Sequence, residues 1–166
     1  MPTFDSEFED SGDLMECGSC RSLAGELVLT SAPRIDLDQY WRVEHCHPVA
    51  VAGWLVLILR RHARAIHELS DDEAAALGKW LPALSRALHD ATGCELEYVM
   101  QFAEGHGFPH VHFHLVARSH DWPTDFKGPA VFAAFGVPDP IAPAAATLII
   151  ERVSRYIGVP ATPIAV

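Results

Sequence analysis

The feature that most constrains this chain is a run in which three histidines alternate with apolar residues. Residues 110–118 read HVHFHLVAR. Because consecutive side chains of a β-strand point to opposite faces, this run predicts a strand with His110, His112 and His114 on one face. Imidazole titrates near neutral pH and can act as a nucleophile, a proton donor or a metal ligand. Three imidazoles backed by a buried apolar face therefore indicate a functional site.

Length and composition predict one globular domain. The chain has 166 residues, of which 49% are hydrophobic, and its formal net charge is −10. This negative charge argues against a nucleic-acid partner, because such proteins neutralise phosphates with basic residues. No apolar run reaches the length of about 20 residues that a membrane span needs. The N-terminal residues lack the basic and apolar regions of a signal peptide, so a cytoplasmic location is expected.

Apolar patterning predicts an α+β fold with an antiparallel sheet. Strands are expected at residues 26–30, 40–46, 51–59, 95–102 and 110–118. The last two are separated by a glycine-containing turn and most simply form a hairpin. Strands, one long helix and further strands follow each other, which is typical of α+β domains.

The long helix is expected to begin after Ser70. Glu73 stands three residues later and completes a capping box. Gly93 is expected to end the helix, and Pro82 is expected to kink or shorten it. A second helix is predicted over residues 144–156.

The cysteines are expected to be reduced in such a compartment rather than paired in structural disulfides. Cys17 and Cys20 are separated by two residues. This spacing is typical of a zinc hairpin and also of a redox dithiol. Both interpretations remain open at this point.

The segment HVHFHLV at residues 110–116 resembles the signature of the histidine-triad (HIT) superfamily, and the resemblance covers about residues 16–125. We therefore expect three regions, namely a flexible acidic arm (1–15), a HIT domain (16–125) and a Pro/Ala-rich extension with one helix (126–166). Segments similar to the family's sheet, conserved histidine and downstream aromatic region stand at 40–43, 48, 53–57, 61–62, 69–70 and 121–123.

The resemblance implies a five-stranded antiparallel sheet packed on helices, a homodimer, and a nucleotide or nucleotide conjugate as substrate. His112 would attack the α-phosphate and form a covalent nucleotidyl-histidine, with the neighbouring backbone orienting its ring. His114 would contact the phosphate and assist the leaving group, and His110 would complete the catalytic triad. His106 and Gly107 would join His112 and His114 in binding the nucleotide. The implied activity is that of a nucleotide hydrolase or a nucleotidyl transferase.

One branch of the superfamily holds a structural zinc ion. The matching positions here are Cys17, Cys20, His62 and His110, which make a Cys₂His₂ set that suits tetrahedral zinc. His45 and His47 are competing ligands, although their position beside Pro48 favours exposure to solvent.

Two other functions compatible with the sequence remain. A metal-dependent hydrolase would use all three histidines of the run as ligands. A non-catalytic nucleotide-binding protein is the second alternative. It is suggested by Gly107, Phe108 and Pro109, which stand where many HIT proteins carry a polar pair that contacts phosphate.

Overall fold

A five-stranded antiparallel sheet forms the centre of the computed structural model, which describes residues 16–105 and 107–164. The strands occur in the spatial order β1-β2-β3-β5-β4, and every neighbouring pair is antiparallel. They comprise β1 (Ile35–Asp36), β2 (Trp41–His45), β3 (Trp54–Leu59), β4 (Leu96–Met100) and β5 (His112–Arg118). The predicted α+β fold and the hairpin of β4 with β5 are therefore confirmed. The acidic arm at 1–15 lies outside the described residues.

Helices whose bounds lie within residues 16–105 and 107–164 accompany the sheet, namely α1 (Gly18–Leu23), α2 (Asp71–Thr92) and α3 (Pro143–Ile157). Short 3₁₀ helices occur at Ile66–Glu68, Thr124–Phe126 and Gly128–Ala134. Within the part of the chain that the structure describes, none of these helices has the length and apolar character needed to cross a bilayer.

Helix α2 begins with the capping box expected from the sequence. The Ser70 side chain accepts from the Glu73 backbone, and the Glu73 carboxylate accepts from the Ser70 backbone. The helix ends at Gly93, whose φ of 68° is a left-handed conformation that glycine adopts without a steric penalty. The expectation that Pro82 would shorten this helix is wrong, because α2 continues through it. Pro82 is exposed, and apolar side chains on the opposite face anchor both halves of the helix.

The strand expected at residues 26–30 is also absent, since this segment has no regular structure. Val28 is 53% exposed, so strand formation here would gain little from the burial that favours β-forming residues. The edge of the sheet is formed instead by β1, which pairs with β2.

The two faces of the sheet have different coverings. One face packs against α2 and α3, in a core that includes Trp41, Leu57, Phe113, Leu115, Leu84, Leu88, Ile149, Ile150 and Val153. The opposite face is partly covered by the segment Gly128–Ala134, and it buries Trp54, Val116 and Val131. Phe113, Leu115 and Ala117 of β5 thus face the helices, and the histidines of this strand lie on the other side with Val116.

Candidate active site and metal centre

Strand β5 presents His112 and His114 on the same face. In the pairing with β3, His112 lies opposite Ile58 and His114 lies opposite Val56. The expectation that His110 belongs to the same strand is wrong, because β5 begins at His112. The backbone N–H of Val111 donates to the carbonyl of Ala63, beyond the end of β3, so the chain is held outside the regular ladder there. His110 consequently enters a different environment from the other two histidines.

The protonation state of the His112 ring follows from its hydrogen bond. Nδ1 lies 2.6 Å from the carbonyl oxygen of His110. A carbonyl oxygen can only accept, so Nδ1 carries the proton and Nε2 retains its lone pair. Burial lowers the pKa of His112 below its usual value. The neutral ring therefore has an unprotonated Nε2 at neutral pH.

The His114 ring has the opposite tautomer. The indole Nε1 of Trp54 donates to His114 Nδ1 over 3.0 Å. Because an indole nitrogen can only donate, His114 Nδ1 is the acceptor and Nε2 carries the proton. The pKa of His114 is lowered to about 4, mainly by burial and further by the neighbouring His112. The ring centroids of His112 and His114 are 4.9 Å apart, so a basic nitrogen and a neutral N–H donor belong to adjacent rings.

Aromatic side chains surround His114. The sequence did not indicate that they belong to the site. The Phe132 ring lies edge-on to His114 with centroids 5.7 Å apart, and to Trp54 with centroids 5.5 Å apart. Trp54 is fully buried in the core beneath this site. Its indole N–H nevertheless fixes the tautomer of His114. A tryptophan in an apolar strand carries no local signal of such a role.

Four of the predicted metal ligands converge at one end of the site. The His110 Nδ1 atom lies 3.5 Å from Cys17 Sγ and 3.4 Å from Cys20 Sγ, and His62 Nδ1 lies 3.2 Å from Cys20 Sγ. The four ligand atoms all lie within 4.8 Å of one another. Tetrahedral zinc with ordinary Zn–S and Zn–N bond lengths requires sulfur and nitrogen ligands to be about 3.5 Å apart. The Cys₂His₂ cluster therefore fits such an ion.

A further hydrogen bond orients His110 as a ligand. Its Nε2 lies 2.6 Å from the carbonyl oxygen of Leu59, which requires the proton on Nε2 and leaves the Nδ1 lone pair towards the sulfurs. His110 is fully buried, and this burial is the main cause that lowers its pKa to about 4. The carbonyl of the same residue accepts from His112. The cluster and the His112 ring are thus joined through one residue.

The competing ligands lie elsewhere. The expectation that His45 is exposed is wrong, since it is buried and both ring nitrogens are engaged with the backbone of Cys46 and Gly53. His47 is exposed. Among residues 16–105 and 107–164, no group of metal-ligating side chains unites the three histidines of the run, because His110 faces the cysteines.

Helix α1, which contains Cys20 and directly follows Cys17, contacts the loop before the histidine run. The N–H of Gly18 donates to the carbonyl of Gly107 over 2.7 Å. A Cβ atom at position 18 would overlap the ring of Phe108, so only glycine permits this close approach. His106, which was expected to bind nucleotide, lies outside the described residues.

Comparisons with known proteins identify the class of fold. No protein-family model and no curated protein sequence matches this chain. Solved structures do match. A hypothetical histidine triad nucleotide-binding protein from Sulfolobus tokodaii strain 7 is 18% identical, with a TM-score of 0.65, over 86% of this chain and 92% of its own.

Two further structures have the same architecture. A zinc-bound histidine triad family protein from Mycobacterium smegmatis is 15% identical, with a TM-score of 0.64, over 86% of this chain and 96% of its own. A histidine triad protein from Bradyrhizobium japonicum is 24% identical, with a TM-score of 0.62, over 76% of this chain and 91% of its own. The chain therefore has the histidine-triad fold, as the resemblance of residues 110–116 implied.

Proposed function

We propose that this protein is a HIT-family nucleotide hydrolase or nucleotidyl transferase that acts through His112. The observation that carries the proposal is the hydrogen bond from His112 Nδ1–H to the carbonyl of His110. It leaves Nε2 unprotonated on a neutral ring, which is the form a phosphoryl centre requires of a nitrogen nucleophile. A solved neighbour with the same fold is described as nucleotide-binding, which supports a nucleotide as the ligand.

The proposed reaction has two displacements. The His112 Nε2 lone pair forms a bond to the α-phosphorus while the bond to the leaving group breaks, and the leaving group departs with that electron pair and gains a proton. Water or another acceptor then attacks the same phosphorus, loses a proton, and breaks the N–P bond. The protonated Nε2 of His114 is a neutral donor that can stabilise the charge developing on phosphate oxygens. His106 and Gly107 are proposed to complete the nucleotide site.

We propose that zinc bound by Cys17, Cys20, His62 and His110 supports this site structurally. The sulfur–nitrogen distances and the tautomer of His110 support that assignment, and one solved neighbour is zinc-bound. The ion would cross-link the start of helix α1 to the residues that precede β5. No chemical step is assigned to it.

A homodimer in the cytoplasm is proposed on the resemblance to HIT proteins. Strand β4 lies at the edge of the sheet, and Leu96 and Val99 are 38% and 44% exposed there. An exposed apolar edge of this kind supports a protein contact.

The decisive experiment combines turnover with trapping of the intermediate. The full chain is incubated with a nucleoside phosphoramidate and with a dinucleoside polyphosphate, and acid-quenched samples are analysed for a nucleotidyl adduct by mass spectrometry. Wild type should turn over at least one substrate and carry the adduct on His112, and His112→Ala should lose both. His47→Ala is the matched control, because His47 is an exposed histidine outside the site.

Equal turnover by wild type and His112→Ala would refute the covalent mechanism. Tight nucleotide binding without turnover or adduct would instead support the non-catalytic alternative.

A further inference from the structure

A second cluster of metal-ligating side chains includes none of the three histidines of the run. His89 near the end of α2, Cys94 just after it, and Glu97 in β4 bring together a nitrogen, a sulfur and an oxygen atom. His89 Nδ1 lies 2.9 Å from Glu97 Oε1, Cys94 Sγ lies 3.3 Å from the same oxygen, and Cys94 Sγ lies 3.8 Å from His89 Nδ1. Ordinary zinc bond lengths in a tetrahedral arrangement require separations of about 3.3–3.6 Å. The observed distances differ from these by a few tenths of an ångström.

The backbone and a neighbouring side chain hold these three residues in place. Gly93, in its left-handed conformation, donates to the carbonyl of His89 and turns the chain so that Cys94 returns towards that histidine. The second oxygen of Glu97 accepts from the Ser85 hydroxyl over 2.8 Å. Outer hydrogen bonds of this kind orient carboxylate ligands in metal sites.

The charges around the cluster also favour a cation. The C-terminal end of a long helix carries partial negative charge, and His89 lies in the last turn of the 22-residue α2. The whole chain has a formal net charge of −10. A thiolate together with a carboxylate would neutralise a divalent ion.

We propose that His89, Cys94 and Glu97 form a second metal site that binds zinc or a similar thiophilic divalent cation. Binding replaces the thiol proton: Cys94 loses H⁺ to solvent and its sulfur bonds the metal, while His89 Nδ1 and a Glu97 oxygen complete three protein ligands. A fourth, open position is left for water or an external donor. His89 is exposed, which allows the ion to enter from solvent.

This site is separate from the Cys₂His₂ cluster. Glu97 pairs with Ala117 in the sheet, and that position is five residues along β5 from His112. Ala117 belongs to the face of β5 that packs against the helices, whereas His112 and His114 lie on the opposite face. The two sites share no ligand, so each can be removed without the other.

Titration of the metal-free full chain with Co²⁺ tests the proposal. The thiolate-to-cobalt absorption band and a competing chromophoric chelator together report the number of equivalents and their ligands. Wild type should bind one equivalent of Co²⁺ more than His89→Gln. The affinity of the second site for Co²⁺ should fall by more than about 100-fold in this variant, because loss of an outer hydrogen-bond partner alone costs up to about 100-fold and His89 is a direct ligand. Ser85→Ala should weaken the same equivalent by about 10-fold.

His67→Gln provides the matched control, because His67 is another exposed histidine and should leave the titration unchanged. Cys94→Ser should remove the charge-transfer contribution of the same equivalent. Since His89 is exposed, His89→Gln should fold even if Cys94→Ser does not. Equal stoichiometry and affinity in wild type and His89→Gln would overturn the proposal, as would an extra equivalent that shows no thiolate band.

Discussion

The indole nitrogen of Trp54 donates a hydrogen bond to Nδ1 of His114 across two adjacent strands, over 3.0 Å. Both side chains are buried. Because an indole N–H can only donate a hydrogen bond, this contact determines which nitrogen of His114 is protonated. The contact also accounts for a tryptophan in β3 at a position where any large apolar side chain would fill the core.

Trp54→Phe should change the tautomer of His114 while retaining an aromatic ring in the core. His114 Nδ1 loses its donor, and an unsatisfied buried polar atom costs about 1–3 kcal/mol. ¹⁵N NMR of the imidazole should show wild-type His114 protonated on Nε2 and a mixture of tautomers in the variant. If His114 proves to act on substrate as proposed, kcat should fall as well.

Trp41→Phe is a suitable control for this experiment. Trp41 is also fully buried, and its Nε1 donates to the backbone carbonyl of Glu73 over 3.1 Å. Its loss should destabilise the fold by a similar amount. An equal change of the His114 tautomer in both variants would contradict the assignment.

The stability of the protein should fall between pH 7 and pH 5 partly because of His114. Its pKa is lowered to about 4 in the folded state, against an ordinary value of about 6.5 in the unfolded chain. The unfolded state therefore binds more protons in this range, so the stabilisation is complete above pH 6.5 and is lost as the pH falls towards 4. His114 should contribute about 2 kcal/mol to the difference between pH 7 and pH 5.

Urea unfolding at the two pH values measures this contribution. His114→Gln should reduce the pH dependence of the free energy of unfolding, whereas the exposed-site variant His67→Gln should keep it. An unchanged difference in His114→Gln would show that this imidazole has an ordinary pKa in the folded protein.

Removal of metal from the Cys₂His₂ cluster should lower the melting temperature. An ion present at 100 times its Kd stabilises a protein by about 2.7 kcal/mol, which corresponds to roughly 5–10 °C for a chain of this size. The melting temperature of wild type should fall by this amount on chelation. Cys17→Ser should have the lower melting temperature even without chelator. Thermal unfolding with and without chelator provides the measurement.

Cys46→Ser should keep its response to chelator, because Cys46 is a buried cysteine outside both clusters. Abolition of activity by chelator without a change in melting temperature would instead support a catalytic metal on the histidine run.

Ser70→Ala should destabilise α2 by about 1 kcal/mol, because one reciprocal hydrogen bond of the capping box is lost. Ser70→Asp should restore most of this stability, since aspartate is an equally good N-cap residue. Chemical unfolding of the three proteins tests the pair of expectations. Equal destabilisation by alanine and aspartate would show that the cap itself contributes little.

Local patterns predicted the elements whose signals are short in sequence. The alternation at 110–118 predicted β5 and its two faces correctly from His112 onward but wrongly included His110, and Ser70 with Glu73 marked the start of α2. The prediction of a strand at 26–30 was wrong because β-forming residues stabilise a strand mainly through burial, and Val28 is 53% exposed. The prediction that Pro82 shortens α2 was wrong because the effect of a proline on a helix depends on how firmly the flanking turns are packed.

Long-range contacts account for what the sequence could not predict. Trp54 and His114 are 60 residues apart, and their contact depends on the pairing of β3 with β5. The Cys₂His₂ set was expected only through resemblance to HIT proteins. His89, Cys94 and Glu97 span a helix, a turn and a strand, so no single periodicity brings them to attention.

The contribution of α3 to the main core has a consequence for synthesis on the ribosome. Ile149, Ile150 and Val153 belong to the same cluster as the strands, and Thr162 pairs with Arg34 beside the first strand. Until these late residues emerge, the nascent chain exposes the apolar surfaces of α2 and the sheet that α3 will cover. The main core therefore cannot close during synthesis until α3 has left the ribosome.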